Sequence, residues 1–449
     1  MAKTPYLTAP RKSAEMPPGI PHIVGNEAAE RFSFYGMRTI LVIFMTQYLK
    51  NAHGELDVMT EADARVWYHD FLSWAYFFPV IGAILSDAFL GKYRTIIALS
   101  LFYCAGHLAL ALDETRTGLT IGLTLIAIGA GGIKPCVTAH VGDQFGPSNQ
   151  HLLSKVFGWF YWSINIGAFL SMLLTPYLLK RYGPHWAFAV PGILMFIATW
   201  VFWLGRHRFV HIPPGGTKFL KETFSGDGLK AIVKLFSVYI FIAFFWAVYD
   251  QNGSSWVLQA KQMDLNWMGI QWLPSQVQAV NSILVLLFIP LFTYWIYPWI
   301  NKFYSLNPLR KIGIGMFMTL PAVLTIAWIE SRIQLGETPT IAWQLLAYCF
   351  LTAAEVMIYQ TGLEFSYTQS PNSMKSMIMS FYLLSISLGN QVTAMVNRLI
   401  QNEDGTTKLE GVDYHLFFAG MIFVASVLYV VYSRFYKEQT YLQEEADAN

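Results

Sequence analysis

Charge is what this 449-residue sequence has least of: Asp, Glu, Lys and Arg make up 13% of it, against 54% hydrophobic residues. Ordinary soluble domains carry about 25% charged residues, so a soluble fold of this size would be short of polar surface. The net charge is only +2, which suggests neither a nucleic-acid partner nor an acidic substrate. Cysteine is scarce. Cys104, Cys136 and Cys349 show no paired or metal-ligand spacing and read as small core residues. The ten histidines offer no metal-ligand pair at helical spacing and no nucleophile-base pair, so no enzyme active site, metal or cofactor is expected. The first twenty residues lack an apolar h-region and contain Lys3, Arg11, Lys12 and Pro17-Pro18, so a cytoplasmic tail is expected there rather than a cleaved signal peptide.

Long apolar runs are abundant. Crossing the hydrocarbon core of a bilayer takes about 20 mostly apolar residues. Windows of that kind centre near residues 23–49, 67–85, 93–112, 118–138, 155–179, 187–204, 230–250, 276–299, 311–330, 341–364, 375–399 and 414–435. Lipid cannot satisfy the backbone groups of an open strand edge, so the spans must be helices. The expected fold is therefore all-α and integral to a membrane, with twelve transmembrane helices. With both termini on one side, most loop lysines and arginines share that side, and Arg206 to Lys234 and Asn301 to Lys311 are the richest stretches. The positive-inside rule then puts both termini in the cytoplasm.

The longest non-apolar connection, about Gly205 to Leu229, divides the spans six and six. This predicts a tail at 1–21, a six-helix bundle at 22–204, a cytoplasmic linker at 205–229, a second bundle at 230–436 and a tail at 437–449. Six plus six about a central linker resembles the major facilitator transporters, whose site lies near the bilayer midplane between the halves. The segment from Gly82 through Asp87 and Gly91 to Arg94 is similar to that superfamily's loop motif.

Ionisable residues inside a membrane are costly enough to mark a pathway or a site. In the first span Glu27, Glu30, Arg31, Phe34, Tyr35 and Arg38 form one stripe of a helix with 3.6 residues per turn. Such a stripe must face the bundle interior. For Glu27 the competing reading is a snorkelling helix end. Lys134 lies in Gly129-Ala-Gly-Gly-Ile-Lys134-Pro135, where the glycines permit close helix approach. Asp250 closes span seven, either as an interfacial cap or as a site group, and Glu355 lies among apolar neighbours in span ten. Buried cations, Arg38 and Lys134, in one half face a buried anion, Glu355, in the other, which suits a zwitterion such as a short peptide. Asn165 and Asn281 are candidate hydrogen-bonding groups to its backbone. Tyr35, Tyr76, Trp246 and Tyr382 are candidate lining residues, although any one of these aromatics alone is more often packing.

At these residues the chain resembles the proton-coupled oligopeptide transporter family. Its first-helix signature is present from Glu27 to Gly36, with Phe34 in place of the first tyrosine of an aromatic pair, and its fifth-helix signature matches Phe160 to Ala168. The resemblance implies a proton symporter importing di- and tripeptides by alternating access across a plasma membrane. It implies that Glu27, Glu30 and Arg31 couple protons to transport, that Lys134 interacts with them, that Arg38 and Glu355 hold the peptide termini, and that Arg38 with Asp250 forms an outer gate. His69 matches a histidine of the animal members, and with an unperturbed pKa of about 6.5 it is a candidate proton group, though a histidine near a helix start is as often solvated. The large outer domain of animal members has no room between Ser331 and Thr340. A carrier of nitrate or another small anion is the nearest alternative, and a drug exporter a further one.

Overall fold

The computed structural model describes residues 6–369, 375–402 and 407–437. Residues 1–5 and 438–449 of the two expected tails lie outside the described residues. Within them, twelve long helices match the twelve apolar windows: α1 Ile20–Gln47, α2 Glu61–Ile84, α3 Lys92–Leu112, α4 Arg116–Gly142, α5 Leu153–Tyr182, α6 Pro184–Leu204, α7 Gly226–Tyr249, α8 Ala279–Leu291, α9 Pro308–Gln334, α10 Ala342–Glu355, α11 Lys375–Ile400 and α12 Val412–Ser433. Three of them run on through π-helical turns, α2 over Leu85–Leu90, α8 over Phe292–Ile296 and α10 over Val356–Gln360. A short helix, Gly216–Thr223, lies within the connection between α6 and α7.

Ten of these segments, all but α1 and α11, are long and apolar enough to cross a membrane. The other two are long enough, at 28 and 26 residues, but carry the polar groups of the interior. That is the expected division of labour: lipid-facing helices can be apolar all round, while a helix surrounded by others can hold charge. Large apolar side chains such as Trp200, Phe196, Leu287 and Leu428 are accordingly exposed on the outside. The protein is a multi-pass membrane protein of two six-helix bundles.

In the first bundle α1 packs on α5 and α6, α2 on α4, and α3 on α4 and α6; in the second α7 packs on α11 and α12, and α9 on α10 and α12. The bundles meet chiefly through α2 against α11 and α5 against α8. Glycine makes two of these approaches possible. A Cβ at Gly82 of α2 would lie 2.3 Å from the carbonyl oxygen of Gly132 in α4, and one at Gly389 of α11 would lie 2.4 Å from that of Ala243 in α7. The first contact seats the α4 turn that carries Lys134 against α2. The second fixes α11 against α7.

Because real Cβ atoms do not approach backbone this closely, Gly389→Val should push α11 off α7. Overpacking of this kind costs about 1–3 kcal/mol. Thermal melting in detergent should show a clearly lowered midpoint for Gly389→Val and little change for Gly142→Ala, where nothing lies within 4 Å. Equal midpoints would show that the helices can separate freely there.

Candidate functional site

The charged stripe of α1 turns inward, as its spacing requires. Nε of Arg31 donates to Oε1 of Glu27 at 2.6 Å and lies 3.2 Å from Oε2 of Glu30. Both carboxylates are buried, so each depends on this guanidinium in place of water. One arginine shared by two acids leaves the second acid less than fully paired, and neither Glu30 oxygen has a hydrogen-bond partner.

Lys134 is buried beside this cluster, but its ammonium meets rings rather than carboxylates. Nζ sits 3.7 Å from the centre of the Phe34 ring and 4.1 Å from that of Tyr76, and it has no hydrogen-bond partner. Two aromatic faces within about 6 Å hold a cation electrostatically without a proton acceptor. The residue that departs from the first-helix signature, Phe34, is thus one wall of the lysine's cage. Lys134 makes no ion pair among the described residues, and it interacts with Glu30 and Glu27 electrostatically at longer range.

Two turns along α1, Arg38 reaches across to the other bundle. It donates through one terminal nitrogen to Oδ1 of Asp250 at 2.5 Å and through Nε to the hydroxyl of Tyr68 at 2.6 Å. Asp250 follows the last residue of α7 and begins a tight turn, Asp250–Gly253, and it is buried rather than an interfacial cap. Its second oxygen accepts from Nδ2 of Asn390 in α11 at 2.6 Å. Asn390 in turn faces Nδ1 of His69 at 2.7 Å, and Nε2 of His69 faces the Ser254 hydroxyl at 2.9 Å. His69 lies two turns into α2 with no exposed surface, so it is a member of this chain of bonds and not a solvated helix end. The same α2–α11 seam continues through Ser387 donating to the carbonyl of Ser73 at 2.7 Å and an ion pair between Arg398 and Asp70. The end of the molecule carrying the α1–α2 loop is therefore shut by a polar zipper between the bundles. Tyr68, Asn390 and Ser254 in it were not singled out from sequence.

Glu355 ends the regular part of α10, just before its π-helical turn. Its Oε2 accepts from Nδ2 of Asn281 at 2.8 Å, while Tyr249 donates to Oδ1 of Asn281 at 3.3 Å. No cation is within ion-pair distance of this carboxylate among the described residues. Trp246 packs edge to face with Tyr249 and Tyr359, at 5.1 and 5.8 Å between ring centres. Tyr35 lies within electrostatic reach of Arg31, Arg38, Glu30 and Glu355, which puts it between the α1 stripe and the α10 carboxylate. Asn165 donates to its own helix at the Tyr161 carbonyl, 3.0 Å away. Tyr382 is fully buried and points its hydroxyl at the carbonyls of Ile358 and Tyr359, so it braces the π-helical turn behind Glu355 and does not line open space.

The arrangement is a set of buried cations on one bundle and a carboxylate held by neutral donors on the other. The model of the POT family matches residues 93–226 and 225–412. The chain belongs to the POT family. Among relatives of this POT family chain, "Peptide transporter family 1" of Drosophila melanogaster is 34% identical over 71% of this chain and 48% of its own length. "Solute carrier family 15 member 2" of Homo sapiens is 36% identical over 71% of this chain and 49% of its own. The chain thus spans about half the length of the curated relatives it matches. A crystal structure of an auto-inhibited POT family peptide transporter is 35% identical, covers 96% of this chain and 99% of its own, and superposes with a TM-score of 0.85.

Removing one partner of a buried pair leaves a charge without solvent or counter-ion, at about 3–5 kcal/mol, whereas replacing both with apolar groups is close to neutral. Asp250→Ala should therefore lower stability by that order, and Arg38→Met combined with Asp250→Leu should restore most of it. Thermal or denaturant melting of the two variants in one detergent reads the difference. If single and double variants lose equally, the pair is not held by its charges.

Proposed function

We propose that this protein is a proton-coupled symporter that carries di- and tripeptides across a membrane by alternating access between its two bundles. The observation that carries the reading is the Glu355–Asn281 site facing the cation-rich α1 and α4. A free peptide has an ammonium and a carboxylate at a separation fixed by its length. The ammonium completes Glu355, which neutral donors, the Asn281 amide and the Tyr249 hydroxyl, hold among the described residues, and the carboxylate is drawn toward Arg38 and Lys134. A carrier of small anions has no use for Glu355. The name of the Drosophila relative, a peptide transporter, agrees with this reading.

In this proposal Glu27, Glu30 and Arg31 are the proton-coupling cluster. Arg31 cannot fully serve two acids, so a proton arriving on Glu30 frees the guanidinium for Glu27. Lys134, caged by Phe34 and Tyr76, is placed to leave the rings for Glu30 or for the peptide carboxylate as the charge changes. Arg38, Asp250 and His69 form the gate at the α1–α2 end. Tyr35, Tyr76, Asn165, Trp246 and Asn281 surround the peptide, and Tyr382 acts by holding the α10 turn. We assign residues 22–204 and 230–436 to the two moving bundles, 205–229 to the linker between them, and both termini to the cytoplasm, with the gated end outward and the protein in the plasma membrane.

Inward movement of one positive charge gains about 2.3 kcal/mol per 100 mV, enough for roughly fortyfold accumulation. Labelled dialanine should accumulate in proteoliposomes when the lumen is alkaline and negative, and sodium should not be needed. Glu30→Gln should abolish accumulation while leaving exchange of labelled for unlabelled dialanine, since an amide keeps the shape but cannot cycle a proton. Sodium-dependent uptake that survives an uncoupler would remove the proton from the reading. Uptake of nitrate but not dialanine would remove the peptide.

A further inference from the structure

We propose a second ligand site, separate from the central one, that binds the paired charges of an amino-acid-sized zwitterion at the α1–α2 end of the molecule. A cavity of about 280 Å³ opens there between the bundles. At about 30 Å³ of liquid per water it has room for roughly nine waters, enough for an amino acid or a dipeptide. Its walls come from both halves: Glu61 and Arg65 from the first turns of α2, Gln259 from the short helix after Asp250, Glu330 from α9, Glu410 from just before α12 and His415 from its first turn.

The charges there are unevenly served. Glu61 pairs with Lys261 at 2.9 Å, Glu330 accepts from Gln259 at 2.7 Å, and Glu410 accepts from the Thr407 hydroxyl at 3.0 Å, each through one carboxylate oxygen. Arg65 makes no ion pair among the described residues; its guanidinium rests 4.9 Å from the Tyr414 ring centre, and its Nε is enclosed without an acceptor. His415 is 5% exposed, lines the same cavity, and has no partner for Nδ1. A buried donor left unmatched costs free energy that an incoming acceptor recovers. A carboxylate entering the cavity can accept from Arg65 and His415, while three acids around it repel a simple anion and favour an ammonium on the same ligand. The site therefore takes both charges together. The carboxylate can come from a free amino acid or from a short peptide. Bound there, the ligand ties α2 to the segment that follows Asp250 and so favours the closed α1–α2 end. Nothing in this site depends on the transport reading.

Equilibrium binding of labelled alanine and, separately, labelled dialanine to the purified full chain tests it, in wild type and in Arg65→Gln, His415→Phe and Glu355→Gln. The expected result is an alanine site weakened at least tenfold by Arg65→Gln and by His415→Phe but not by Glu355→Gln. If only dialanine shows a component with that dependence, the carboxylate's source is a peptide and the site stands. Should Arg65→Gln fail to fold, His415→Phe carries the comparison alone. Binding that is lost in Glu355→Gln and intact in the other two variants would overturn the site, as would no binding of either probe beyond the central one. The central-site reading falls on the uptake experiment instead, so the two failures are distinct.

Discussion

Arg38 and Asp250 hold the two bundles together where no water is available to replace either partner. A buried charge in lipid-embedded protein has to be matched inside the protein. Asp250 is therefore tied to Arg38 by one oxygen and to Asn390 by the other, and Asn390 is tied to His69. The consequence is that α1, α2, α7 and α11 share one polar chain at the α1–α2 end. Opening that end means breaking bonds that have no substitute until another charge or water arrives. Such a chain of bonds is either made or broken, with little in between.

The rest of the site follows the same rule with less complete matching. Among the described residues Arg31 answers two acids, Lys134 touches rings and feels the α1 acids at longer range, and Glu355 is held by neutral donors. Each is stable enough to persist and incomplete enough that, in the proposed mechanism, a proton or a zwitterion biases it. A fully paired set would be rigid, and an unpaired set would not stay in the membrane. In the proposed mechanism the seam at the α1–α2 end and the loosely matched centre are complementary parts, charge arriving at the centre changing what Arg38 holds.

Much of this was legible in the sequence, for reasons that are local. Twelve windows became twelve helices because lipid allows no other backbone solution, and the α1 stripe was readable because i, i+3, i+4 spacing determines which residues share a face. Glycine before Lys134 signalled the close α2–α4 approach. Pairing between distant segments was not legible. His69 and Asn390 are 321 residues apart, and nothing in either neighbourhood names the other. A signal did exist: Ser387, Asn390 and Thr393 recur on one stripe of α11, the polar face of a second interior helix. The hydroxyl contact of Tyr382 with the π-helical turn was not legible, because an aromatic near a site looks the same in sequence whether its hydroxyl meets a ligand or the backbone. The helix at Gly216–Thr223 was hidden by the Gly and Pro just before it.

The direct test of the central claim is a distance across the gated end. Spin labels placed by Val58→Cys, before α2, and Leu399→Cys, in α11, with Cys104, Cys136 and Cys349 replaced, report whether the two sides are joined; both positions are exposed. With Arg38 and Asp250 intact, pulsed dipolar spectroscopy should give a distance distribution dominated by one short component. Adding Asp250→Asn, which leaves Arg38 without its counter-charge, should shift much of the population to a longer separation. Identical distributions with and without Asp250→Asn would contradict the account.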